Sequence, residues 1–190
     1  MVMTQSRMLA LGTTAPDFSL PDPVGKVHNL REFADSKALV VAFICNHCPY
    51  VKHIVGGLAQ FAHDFQSRHV AIVAINSNDV SRYTEDSPAN MAKFAAQNGF
   101  DFPYLYDESQ AVAKAYQAVC TPDLFLFDQA RRLVYRGQFD ASRPSNMQPV
   151  TGADLRAAAD AVLAGRAIKQ QIASVGCSIK WKPGQQPDWA

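Results

Sequence analysis

Ala38-Leu39-Val40-Val41-Ala42-Phe43-Ile44-Cys45-Asn46-His47-Cys48-Pro49-Tyr50-Val51 is the stretch that decides the fold. Through Ile44 it is an unbroken apolar run with β-branched members, the pattern of a strand buried on both faces of a parallel sheet. After the cysteines the period changes. Val51, Ile54, Val55, Leu58, Phe61, Ala62 and Phe65 recur at helical spacing, which predicts an amphipathic helix over residues 49–66. Pro49 suits its first turn, where a missing N–H costs nothing. Gly56-Gly57 is expected to soften or bend it. The CNHC motif therefore stands where a buried strand ends and a helix begins.

Working outward, Val70 to Ile75 reads as a second buried strand and Asn76 to Ser87 as a polar loop. Its first residues, Asn76-Ser77-Asn78, lie at a strand's C-terminal end, the edge that carries ligands in open α/β sheets. A helix is expected over 88–97, a short extended piece at Tyr104 to Tyr106 and a further helix over 110–118. Leu124 to Phe127 and Leu133 to Tyr135 read as strands joined by a tight turn, and Thr151 to Ala164 as a closing helix. Residues 12–37 form an N-terminal extension with a hairpin-like pair around the Pro23-Val24-Gly25-Lys26 turn. Helices between strands, then an antiparallel pair, imply a mixed central sheet with helices on both faces, a three-layer α/β/α architecture. The domain is read as residues 1–165, with 166–190 as a C-terminal tail.

Composition sets limits. The chain has 190 residues, with 18 basic and 17 acidic side chains and a formal net charge of +1. That balance gives no reason to expect a nucleic-acid partner. The longest apolar run is far short of the roughly 20 residues that cross a membrane, and Met1 to Leu11 lacks a secretory apolar core of about 7–15 residues. The expected compartment is cytoplasmic, with no membrane association. Cys45, Cys48, Cys120 and Cys177 are too few for a disulfide-stapled scaffold. Two of them at CxxC spacing suggest redox work or a metal site.

A helix start favours an anion, and a CxxC cysteine there can have its thiol pKa lowered from about 8.5 to between roughly 3.5 and 7.5. Cys45 is expected to be the exposed nucleophile. Cys48, one turn on, is expected to attack the mixed disulfide formed on Cys45. His47, between them, can stabilise a Cys45 thiolate as a cation or as a hydrogen-bond donor, which would make the pair more oxidising than thioredoxin. His53 reads as a residue of the helix's polar face. Zinc would need four ligands and no second pair is present, so neither a metal nor another cofactor is expected. Thr121-Pro122-Asp123 precedes the second run of strands, and a proline there is compatible with either a trans or a cis bond. Cys120 reads as a small buried residue close to the site, with an additional redox role as the alternative. Cys177 could be a third redox cysteine or a structural one.

Taken together, the segment GTTAPDFSLPDPVGKVHNL, the strand running into FICNHCPYV, and VCTPDLFLFD followed by RLVYRGQFD resemble the thioredoxin superfamily. Within it they resemble the redoxin branch of AhpC/TSA peroxiredoxins and TlpA/ResA-like thiol–disulfide oxidoreductases. The resemblance runs from about Gly12 to Ala164. It implies a thioredoxin-like fold in which a cis Pro122 faces the CxxC and Thr121 offers backbone groups to a bound substrate. It also implies a disulfide-containing protein or small thiol as substrate, and an electron donor that the sequence does not identify. It leaves the oligomeric state open. Thioredoxin's tryptophan before the first cysteine and its Gly-Pro are replaced here by Ile44 and Asn46-His47, and a histidine before the second cysteine is similar to DsbA. The peroxiredoxin motif Pro-x-x-x-Thr-x-x-Cys, ending on Cys48, would place its threonine at Cys45 and its proline at Val41, so weak peroxidase activity is expected. A Sco-like metal-delivery role needs a late histidine, and none follows His69.

Overall fold

A computed structural model describes residues 3–168 and 170–190. Three short strands come first, β1 (Met3–Gln5), β2 (Ser19–Pro21) and β3 (Val27–Asn29). β2 and β3 pair antiparallel, with Ser19 opposite Asn29, and form the expected hairpin. Its turn is held by Asp22, whose Oδ1 accepts from the Val24 and Lys26 N–H groups. The remaining elements are β4 (Ala38–Phe43), α1 (Pro49–Gln66), β5 (Val70–Asn76), α2 (Pro88–Gln97), β6 (Tyr104–Tyr106), α3 (Ala111–Ala115), β7 (Cys120–Thr121), β8 (Asp123–Asp128), β9 (Leu133–Gly137), α4 (Ala153–Leu163) and β10 (Val175–Ser178).

The central sheet runs β6-β5-β4-β8-β9. β4 pairs parallel with β5 and antiparallel with β8, so the sheet is mixed as expected. β4 sits at its centre, and every one of its residues is without solvent exposure. Alternation then divides its side chains between two cores. Val40, Ala42 and Ile44 pack with Leu58 and Phe61 of α1, Met91 of α2 and Leu155 of α4. Leu39, Val41 and Phe43 pack with Ala113 of α3, Tyr116 and Phe18. This is the three-layer α/β/α arrangement.

α1 runs unbroken through Gly56-Gly57, from Pro49 to Gln66. Gly57 serves a close approach, because a Cβ there would lie 2.9 Å from both Phe139 and Val150. Two local outcomes differ from expectation. α3 is shorter than 110–118, since Gln110 and Gln117 adopt left-handed backbone angles on either side of it. Residues 166–190 were expected as a tail with few apolar repeats, yet they carry β10. That strand lies between β1 and β7 in a second, three-stranded sheet. Ile179, just after β10, is buried in the core, and Trp181 packs against it. Among the described residues, no helix is long and apolar enough to cross a membrane.

Candidate active site

β4 delivers CNHC to the start of α1, and β7 brings Thr121 to meet it. Cys45 Sγ lies 3.3 Å from Thr121 Oγ1, and Cys48 Sγ donates to the Thr121 carbonyl oxygen at 3.1 Å. The Thr121–Pro122 bond is cis, as the resemblance implied. β10 pairs with β7 so that Cys177 stands opposite Thr121. Only glycine fits before it, because a Cβ on Gly176 would lie 2.0 Å from the Thr121 oxygen. The approach puts the Cys177 thiol and its backbone N–H in hydrogen-bonding contact with the Cys48 sulfur. Cys120 stays apart, buried with its sulfur 3.6 Å from the Pro122 oxygen, and burial pushes its thiol well up.

The structure differs from expectation on exposure. Cys45 was expected to be exposed and is 1% accessible, against 0% for Cys48. The segment after β5 is joined to the motif. Its 3-10 turn, Thr84–Asp86, is bonded directly to the CNHC backbone. Asp86 Oδ1 accepts from the N–H groups of Asn46 at 2.8 Å and His47 at 3.3 Å, and the Asn46 side chain donates to the Glu85 oxygen. Asn78 donates to Asp86 Oδ2 at 2.7 Å, Asn76 to the Asp86 carbonyl at 2.8 Å, and the Tyr104 hydroxyl to Asn46 Oδ1 at 2.9 Å. A segment that reads as a plain loop is thus a buried polar frame for the motif. Asp86 and Tyr104 carry no local signal of this; the polar Asn76-Ser77-Asn78 at a strand end is the one hint.

His47 also differs. Its Nδ1 bonds Asp86 Oδ2 at 2.6 Å rather than the Cys45 sulfur, and its ring stacks on Tyr83 at 5.4 Å. The Lys180 ammonium lies 5.7 Å from the centre of that tyrosine ring. The bond to Asp86 raises the imidazole's pKa. Burial works against charge on Asp86, but His47, Asn78 and the Asn46 N–H hold its carboxyl below the usual range.

The three thiols of the site shift one another. Cys48 falls to about 5, first because the Cys45 thiol hydrogen-bonds to it, and then because the Cys177 thiol and the Val51 and Cys177 N–H groups outweigh its burial. Cys45 is raised well above the ordinary thiol range by the same bond to Cys48, by burial and by the charge on Asp86. Cys177, donating to Cys48, is pushed up to about 12, mainly by burial. The two sulfurs share a proton, and the surrounding donors favour the thiolate on Cys48.

His53, expected on a polar face, is half-buried beside Pro122, Asp140 and Arg143 and takes no part in the sulfur cluster. Cys45, His47 and Asp86 each offer one ligand atom within 4.8 Å of the others. A metal bound through His47 Nδ1 would replace that atom's bond to Asp86.

A mixed sheet with helices on both faces, a CxxC at a strand-to-helix junction and a cis proline against it define a thioredoxin-like protein. Residues 11–136 match the AhpC/TSA family, two thirds of the chain, and the chain belongs to that family. A relative, the thiol-disulfide oxidoreductase ResA of Geobacillus thermodenitrificans, is 29% identical over 126 residues, covering 66% of this chain and 68% of that protein. A crystal structure of a hypothetical protein from Sinorhizobium meliloti 1021 is 54% identical with a TM-score of 0.94, covering 95% of this chain and all of that one. A putative thiol:disulfide interchange protein DsbE from Chlorobium tepidum shares the fold at 22% identity and a TM-score of 0.66, over 82% of this chain and 99% of its own.

Proposed function

We propose that the chain is a thiol–disulfide oxidoreductase that reduces or exchanges disulfides through Cys45 and Cys48. The observation that carries this reading is the convergence of both sulfurs on Thr121, at 3.3 and 3.1 Å, immediately before the cis proline. The shared proton suggests the order of events. Cys45 attacks a substrate disulfide while its proton passes to the Cys48 thiolate, and one substrate sulfur leaves as a thiolate. Cys48 then gives that proton to the departed sulfur and attacks Cys45. A Cys45–Cys48 disulfide forms, the second substrate sulfur leaves, and two electrons have passed to the substrate. In this reading Thr121 and Pro122 line the approach to the pair, and a donor of electrons restores the dithiol. The sparse cysteines fit work in a reducing cytoplasm.

One observation favours a second reading, a thiol peroxidase. Both sulfurs are covered, so either substrate needs the site to open, and a small hydroperoxide needs a smaller opening than a protein disulfide. Trapping separates the two. Cys48→Ala protein incubated with oxidised glutathione should accumulate a mixed disulfide on Cys45, and neither single-cysteine variant should turn over a disulfide-bonded peptide. Peroxide consumption that survives Cys45→Ser but not Cys48→Ser, with no adduct on Cys45, would replace the first reading with the second.

A further inference from the structure

Cys48 is the middle member of a line of three sulfurs. Cys45 precedes it by one turn in the CNHC motif, and Cys177 stands on β10 opposite Thr121, whose carbonyl oxygen lies 3.1 Å from the Cys48 sulfur. The Cys177 position is built with precision. Its strand is paired on both edges, Met3–Cys177 on one and Thr121–Cys177 on the other. Gly176 permits an approach to the Thr121 oxygen that no other residue allows. Cys177 is 3% exposed, so solvent does not compete for the contact. A structural cysteine needs only apolar neighbours, whereas here both the thiol and the backbone N–H are directed at a sulfur.

We propose that Cys177 is a third redox thiol that moves the disulfide from Cys45–Cys48 to Cys48–Cys177. The proposal rests on the dithiol cycle above, which supplies the first disulfide. The Cys177 sulfur, losing its proton, attacks Cys48 Sγ. The Cys48–Cys177 bond forms, the Cys45–Cys48 bond breaks, and Cys45 leaves as a thiolate that takes up the proton. The exchange is internal, so no electrons enter or leave. In the reduced protein the negative Cys48 suppresses ionisation of Cys177. Once Cys48 is in a disulfide that charge is gone, and the nearby Lys180 favours the Cys177 thiolate against the burial that still opposes it. The result is an oxidised protein in which Cys45 is again a thiol and the disulfide that the electron donor must attack is Cys48–Cys177.

The sequence makes the test direct. Trypsin cutting after Lys37, Lys52, Lys169 and Lys180 leaves Cys45 and Cys48 together in 38–52 and Cys177 in 170–180, while Cys120 falls in a third peptide. The full chain is oxidised with oxidised glutathione, quenched in acid, capped with a maleimide, digested without reduction and mapped by mass. The expected result is a 38–52/170–180 cross-link through Cys48, with the maleimide on Cys45. In Cys177→Ser protein, the internal 38–52 disulfide should persist and Cys45 labelling of the oxidised form should be lost. Oxidised wild-type protein that holds only the internal 38–52 disulfide, with Cys177 capped, overturns the relay and leaves the dithiol cycle standing. Absence of both links overturns the dithiol cycle, and the relay with it. The wild-type map decides the matter even if Cys177→Ser fails to fold.

Discussion

Asp86 and Asp123 are both without solvent exposure, the first bonded to the CNHC backbone and the second directly after Pro122. Their carboxyls nevertheless shift in opposite directions. Asp86 is surrounded by short donors, two backbone N–H groups, the Asn78 amide and the His47 ring, and is held below the usual range. Asp123 has one short bond, from the Ser6 hydroxyl at 2.6 Å, with the Val119 N–H at 3.4 Å and Arg136 at 3.5 Å. Burial dominates there, and the carboxyl rises to about 6. Burial alone does not set charge; the count of well-placed donors decides whether an ion survives without water. The aspartate that stays charged is the one joined to the thiol motif, and its charge helps keep the proton on Cys45.

The largest expected effect breaks the well-donated side. Asp86→Asn turns one acceptor into a donor facing donors and leaves His47 without its partner, which should destabilise the protein by about 3–5 kcal/mol in urea unfolding. The same change should lower the Cys45 pKa, read by thiolate absorbance in a Cys48→Ser background. A loss under about 1 kcal/mol would show that the frame is not held by this carboxylate.

A smaller effect is expected at Asp123. Its folded pKa lies above the unfolded value near 3.9, so its contribution is fully present below about pH 4 and is lost as pH rises through about 6. Wild-type stability should fall by roughly 2–3 kcal/mol more than that of Asp123→Asn between pH 4 and 7. Parallel pH profiles for the two proteins would contradict the difference drawn between the aspartates. Tyr104→Phe should have the smallest effect. It removes one donor to Asn46 from the Asp86 frame, at a cost of about 1 kcal/mol by equilibrium unfolding. A cost matching Asp86→Asn would mean that the frame acts as one unit rather than through its carboxylate.

The sequence alone reveals those features whose cause is local. β4 and α1 follow from an apolar run and a helical period, and Pro49 marks the first residue of α1. The meeting of CNHC with Pro122 needed the family resemblance, because the two lie far apart in the chain. The Asp86 frame was not legible. Its residues have the composition of a solvated loop, and only partners 39 and 40 residues upstream turn them into buried structure. Cys177 was noticed but not placed. Val175–Ser178 is too short to show a period, and what makes it a strand is pairing on both edges. The donors around Cys48 are hidden for a related reason, since one of them comes from that same strand.

Gly176 and the strand it belongs to also bear on the order of assembly in time. β1 and β10 join residues about 170 positions apart, Gln5 to Val175, a closure that comes with a large loop entropy and favours late formation. Until β10 docks, Cys48 lacks the Cys177 donors that help make it acidic. A chain in which β10 has not yet docked therefore keeps the Cys45 bond to Cys48 but lacks the Cys177 donors, and its Cys48 is less acidic than in the finished fold.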